Sequence, residues 1–64
     1  MSPADTYLVE SLVRGEWCPA LSTTGTDVDG RDLFKRTVPK KPLLTFRLRR
    51  QSDGAVLDTK EPTP

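Results

Sequence analysis

The most regular pattern in the chain lies in its last third. In Leu44-Thr45-Phe46-Arg47-Leu48-Arg49 apolar and polar residues alternate strictly, which is the period of a strand with one buried face. Leu44, Phe46 and Leu48 are expected to face a core, while Thr45, Arg47 and Arg49 face solvent. Asp53-Gly54 is a turn dipeptide, and Ala55-Val56-Leu57 supplies the returning strand. Residues 61–64, Glu-Pro-Thr-Pro, read as a frayed tail.

The first third supports two assignments. Ser2-Pro3-Ala4-Asp5 has the form of a helix start, with Ser2 as N-cap, Pro3 at the first helical position and Asp5 completing a capping box. Leu8 and Leu12 then follow four apart, and Gly15 offers a stop. Against this, Tyr7, Val9 and Val13 carry strand-forming side chains, and Gly15-Glu16 separates two segments able to pair. A hairpin of residues 6–14 with 16–22 is preferred, with residues 3–14 left open between strand and helix. Pro19 confines the second arm to an edge or a bulge, because proline donates no ladder hydrogen bond.

Residues 22–30 are glycine and small polar residues apart from Val28, and read as a loop. Asp27 or Asp29 then caps a short helix running to about Thr37, with Leu33, Phe34 and Val38 on its buried side. Acids at the front and Lys35-Arg36 at the back suit the helix dipole. Pro39 and Pro42 end the helix. The expected architecture is α+β: one small domain over residues 1–60, β-β-α-β-β, with antiparallel hairpins. One short helix covers one face of the sheet and leaves the other to water.

Length limits what such a chain can be. With 64 residues, 34% of them apolar, it buries only about 60% of its unfolded surface. A two-domain enzyme, a dinucleotide-binding fold and a barrel with an interior cavity are excluded. No apolar run approaches the roughly 20 residues that cross a membrane, and no signal-peptide core is present. A cytoplasmic protein without a membrane partner is expected.

The residue counts bear on chemistry. There is no histidine, the commonest general base near neutral pH and the commonest metal ligand. Cys18 is the single cysteine, so neither an internal disulfide nor a multi-cysteine zinc site can form. Between Trp17 and Pro19 it reads as a small apolar filler rather than a nucleophile. Asp27, Asp29 and Asp32 cluster around Gly30 but lack the calcium-loop spacing and its terminal glutamate. Glu10 and Glu16 have no pocket-forming context for paired-carboxylate chemistry. No catalytic residue, metal or cofactor is expected, and the chain does not read as an enzyme.

The net charge of +1 conceals a strong segregation. Residues 1–34 carry six acids against Arg14 and Arg31. Residues 35–50 carry seven cations and no acid, and residues 51–64 return to net negative. Such separation steers association even where the total is small.

Two sets of residues are candidates for a binding surface. Arg47 and Arg49 stand about 6–7 Å apart on the expected exposed face, from a rise of roughly 3.3 Å per residue. Arg50 at the strand end and Lys40-Lys41 before it extend the strip. Arginine forks at this spacing fit the phosphates of a nucleic-acid strand or the carboxylates of an acidic protein. They equally keep a sheet face soluble or blunt an edge. A pI of 7.9, against the value above about 9 usual for electrostatic nucleic-acid binders, and an inward-pointing Phe46 count against nucleic acid. The second set is Tyr7 and Trp17, either an aromatic contact for a partner or core residues beside Phe34 and Phe46.

Tyr7-Leu8-Val9-Glu10, then Gly15-Glu16-Trp17, a helix and an Arg-rich hairpin with Asp53-Gly54 together resemble the small β-β-α-β-β proteins of phages and prophages. The resemblance implies an accessory protein that binds a host protein or nucleoprotein complex and changes its activity, as host-takeover and anti-CRISPR proteins do. It transfers no functional residue. A non-catalytic protein-binding module, in its finer form a phage-type inhibitor of a host or defence complex, is the leading expectation. The alternatives are a nucleic-acid-binding protein using the basic strand 44–50, and a self-assembling subunit whose free strand edge makes a homodimer.

Overall fold

The computed structural model describes residues 4–62. Its first hairpin consists of β1, Asp5–Val13, and β2, Glu16–Gly25, joined through Arg14-Gly15. Both turn residues have positive φ, 53° and 80°, a two-residue geometry whose twist matches that of the flanking strands. The hairpin is thus formed in place of the alternative N-terminal helix. Ser2 and Pro3, on which that helix start rested, lie outside the described residues, as do Thr63 and Pro64 of the expected tail.

β2 reaches further than its apolar content suggested. Ser22, Thr23, Thr24 and Gly25 pair with Leu8, Tyr7, Thr6 and Asp5, which corrects the loop expected from residue 22. Threonine is β-branched and suits a pleated surface. As one of the two edge strands of the sheet, β2 needs little apolar side-chain surface. Pro19 sits on this edge strand beside a bulge: Glu10 pairs with Pro19 and Val9 with Leu21, leaving Ala20 as the extra residue.

The helix α1, Asp27–Thr37, follows at once. Its N-cap is Thr26 rather than Asp27 or Asp29. The Thr26 amide and hydroxyl both donate to Asp29 Oδ2, at 2.9 and 3.2 Å, so Asp29 reaches back to the cap. The amide of Val38 closes the last turn on the Phe34 carbonyl at 2.9 Å, one residue before Pro39.

β3, Phe46–Arg50, and β4, Val56–Lys60, form the second hairpin. β3 starts later than the alternation suggested, and Leu44 is 41% exposed rather than turned to the core. Prolines 39 and 42 keep the linker out of the ladder, and Pro42 is the buried residue there. Pairing with β1 resumes where the Leu12 amide donates to the Thr45 carbonyl at 2.8 Å. β4 runs on past Leu57 to Lys60. Leu57 is the extra residue of a second bulge, between the Leu48–Asp58 and Arg49–Val56 pairs, and it packs against the core.

The sheet order is β2-β1-β3-β4, antiparallel throughout. β2 and β3 therefore run parallel on either side of β1, and α1 makes the crossover between them. The helix packs on β2, β1 and β3. Among the described residues, Tyr7, Val9, Phe34, Val38 and Leu48 form the buried core cluster. Val9 and Leu48 are fully buried and directly opposed across β1 and β3, each worth roughly 1.5–3 kcal/mol of burial.

Candidate functional site

Strand alternation decides which side chains share a face. Tyr7 and Val9 on β1, with Phe46, Leu48 and Arg50 on β3, lie on the helix side. Leu8, Glu10 and Leu12, with Arg47 and Arg49, lie on the side the helix leaves uncovered, and Trp17 joins them because β2 pairs it with Leu12.

Glu10 is the centre of that uncovered face. Arg47 Nε donates to its Oε1 at 2.7 Å, Arg49 Nε to the same oxygen at 3.1 Å, and Arg49 Nη2 to Oε2 at 3.2 Å. The two guanidinium groups and their stems cover the carboxylate, leaving Glu10 only 5% exposed. Burial alone would push the Glu10 carboxyl up. Hydrogen bonds from Arg49 and Arg47 and the charges of both outweigh it, holding the carboxyl below its ordinary value. Two arginines on one carboxylate leave one net positive charge. Arg47 engages Glu10 through Nε alone, so its two η nitrogens have no acceptor among the described residues. Its guanidinium carbon lies 4.0 Å from the centroid of the Trp17 ring, within cation–π range.

The expected basic strip is divided by the fold. Arg47 and Arg49 share the uncovered face, whereas Arg50 points to the helix side. Arg50 donates to Asp53 from Nε at 3.1 Å and from Nη2 at 2.6 Å, and Nη1 approaches Asp27 at 3.5 Å. Those guanidinium bonds and the Ala55 amide hold the Asp53 carboxyl down to about 2. Lys40 lies beside the helix C-terminus near Lys60, and Lys41 is exposed in the linker.

The two aromatics also separate. Tyr7 is buried in the core, 2% exposed, and its hydroxyl donates to Asp27. That hydrogen bond, then burial, raises the Tyr7 hydroxyl above its ordinary value. The same hydrogen bond and the Arg50 charge hold Asp27 below its own, against the opposing effect of burial. Trp17 stays out of the core and stacks on Arg47. Phe46 packs against the core, as its position in the alternation predicted. Cys18 is partly exposed and outside the core cluster, so it does not fill an apolar interior.

The acids around Gly30 serve the helix: Asp27 holds Tyr7, Asp29 completes the cap, and Asp32 pairs with Arg36 at 3.0 Å. No group of three histidine, cysteine, aspartate or glutamate side chains placed to hold a metal occurs among the described residues. Glu10 is the residue that sequence reasoning missed as a partner of the arginines. The available signal was an acid on the polar phase of Tyr7-Leu8-Val9-Glu10, but only the β1–β3 register reveals that it faces Arg47.

Comparison with protein-family models, with curated proteins and with solved structures gives no match to this chain.

Proposed function

We propose that the chain is a non-catalytic protein-binding module whose contact surface is the uncovered sheet face centred on Trp17 and Arg47. One observation carries this reading: a buried carboxylate fixes two arginines, one stacked on the tryptophan, on the face the helix leaves open. Tryptophan and arginine are the side chains that most often dominate protein interfaces, whereas lysine is depleted there. Every lysine of the chain, at 35, 40, 41 and 60, lies off this face. Leu8, Leu12 and Val56 supply apolar area around the pair. The Glu10 hydrogen bonds orient the guanidiniums before a partner arrives, which reduces the ordering cost of binding.

The β3 arginines do not form a continuous basic strip. Arg47 and Arg49 share one carboxylate and keep one net positive charge between them, and Arg50 turns to Asp53 on the other face. This division favours the module reading over nucleic-acid binding through residues 44–50. The finer role, a phage-type inhibitor of a host or defence complex, is supported by the sequence resemblance alone and names the class of partner to look for.

The test is capture of partners from a bacterial lysate with and without nuclease, using the tagged protein and its W17A and R47E variants. A stoichiometric protein that survives nuclease and is lost with either variant supports the reading. Recovery that vanishes with nuclease points to nucleic acid. Retention by both variants moves the contact surface elsewhere.

A further inference from the structure

A second surface lies on the opposite side of the sheet. α1 covers β2, β1 and β3, and beyond it a groove runs between the helix and β4, the edge strand opposite β2. Phe34 and Val38 reach its floor from the core. Arg31 and Lys35 line it from the helix, Lys40 from the linker and Lys60 from β4. Asp58 is its single acid, so the groove carries four positive charges against one negative. None of these four cations has a carboxylate within ion-pair distance among the described residues, whereas Arg36, Arg47, Arg49 and Arg50 all do.

The wall opposite the helix is an open strand edge, which offers a row of backbone donors and acceptors to another strand. Asp58 sits against this edge: its Oδ1 accepts the amide of Thr59 at 2.8 Å. The same carboxylate occupies a backbone donor of β4 and opposes the positive field of the groove.

We propose that an acidic, extended peptide segment of a partner protein docks in this groove as a fifth strand on β4. Backbone hydrogen bonds to the edge supply affinity. The alternate side chains on the helix side of the sheet enter the groove, an apolar one against Phe34 and Val38 and carboxylates flanking it against Arg31, Lys35 and Lys60, the mode known as strand addition. The five residues of β4 fix the docked length at about five residues, or roughly 17 Å. This surface is separate from the Trp17–Arg47 face, so its occupancy does not depend on the module reading of that face.

The experiment titrates isotope-labelled protein with an acetylated peptide of about eight residues, long enough to overhang β4 at each end. Its groove-facing alternate positions carry glutamate, valine and glutamate, and its other positions carry threonine. Amide shifts are expected across residues 56–60 and on the adjoining helix face. The double variant K35E/K60E is expected to weaken binding about tenfold or more, as reversed charges at a contact do. D58A, which frees the Thr59 amide and removes the opposing charge, is expected to tighten it several-fold, and W17A and R47E to leave it unchanged. Melting curves establish that each variant is folded. Backbone N-methylation of alternate peptide residues is expected to abolish binding.

Several results overturn the proposal. One is an N-methylated peptide that binds as well as its parent. Another is a D58A variant that binds no better than the wild-type chain. Shifts confined to the Trp17 face would do the same. So would a single-stranded oligonucleotide that fills the groove more tightly than the peptide, or a self-associated dimer that protects the β4 amides without any peptide.

Discussion

Gly30 of α1 rests on the ring of Tyr7: a Cβ placed at Gly30 would stand 2.6 Å from Tyr7 Cγ and 2.8 Å from Cδ1. The helix can approach the sheet this closely only because residue 30 has no side chain. In an unconstrained helix Gly→Ala would gain about 1 kcal/mol of propensity. Here the ring beneath is buried and its hydroxyl is tied to Asp27, so neither partner has room to yield. Gly30→Ala is expected to destabilise by about 1–3 kcal/mol, the usual cost of overpacking. A lower urea midpoint with an unchanged slope would show it, and a higher midpoint would refute the close-approach argument.

Arg14 occupies the left-handed region, with φ of 53°, where an L-residue with a long side chain is disfavoured by about 1–2 kcal/mol. The position is the first of a two-residue hairpin turn, where asparagine is the preferred occupant. Arg14→Asn is expected to raise stability by about 0.5–1 kcal/mol, without touching any core contact. Thermal denaturation would read this as a rise of several degrees.

Glu10 should contribute to acid sensitivity. Its folded-state carboxyl titrates below its ordinary value of 4.5, so the unfolded chain binds the proton first as the pH falls. The stabilisation from its two arginines is complete above the ordinary value and is lost as the pH descends through the lower folded one. Asp27 and Asp53 are shifted in the same direction, and their contributions fall away in the same sense. Glu10→Gln is expected to cost about 1–3 kcal/mol at neutral pH, because two guanidiniums are left without their charged acceptor. The variant should also lose stability less steeply with acid. Parallel pH–stability curves for the two proteins would contradict the role given to the ion cluster.

Tyr7 is the single tyrosine of the chain, so its ionisation can be followed by ultraviolet absorbance without interference. The hydrogen bond to Asp27 and burial raise it above 10.0. With the folded value raised, the stabilisation is complete below the unfolded tyrosine value and is lost as the pH climbs through the folded one. Asp27→Asn is expected to move the titration midpoint downward. A midpoint that does not move would mean the Tyr7–Asp27 hydrogen bond is not what holds the proton.

The sequence revealed elements more readily than their partners. Alternation in Phe46-Arg47-Leu48-Arg49 located β3 and its inward residues, and the acids and cations flanking Leu33-Phe34 located α1, because each of those signals is local. The strand at Ser22-Thr23-Thr24 was hidden because an edge position asks for no apolar period. The Arg47–Glu10 ion pair joins residues 37 positions apart, and only the β1–β3 register creates it. Tyr7 is buried on the helix side of β1, whereas the β1–β2 register sets Trp17 opposite Leu12 on the other face, a distinction that the two aromatics themselves do not announce. The groove beside β4 depends on how far the helix extends across the sheet, and no residue pattern encodes that distance.

Placement of β1 between β2 and β3 also has a consequence for synthesis. As the chain leaves the ribosome, the first hairpin can close early, but one edge of β1 stays unsatisfied until Phe46–Arg50 emerges. That edge belongs to Tyr-Leu-Val, the most adhesive strand segment of the protein. A nascent or prematurely terminated chain ending in the linker before β3 would therefore display its stickiest surface with no complement in its own sequence. Such fragments should be aggregation-prone and marked for rapid disposal, whereas the finished chain conceals the same edge inside its sheet.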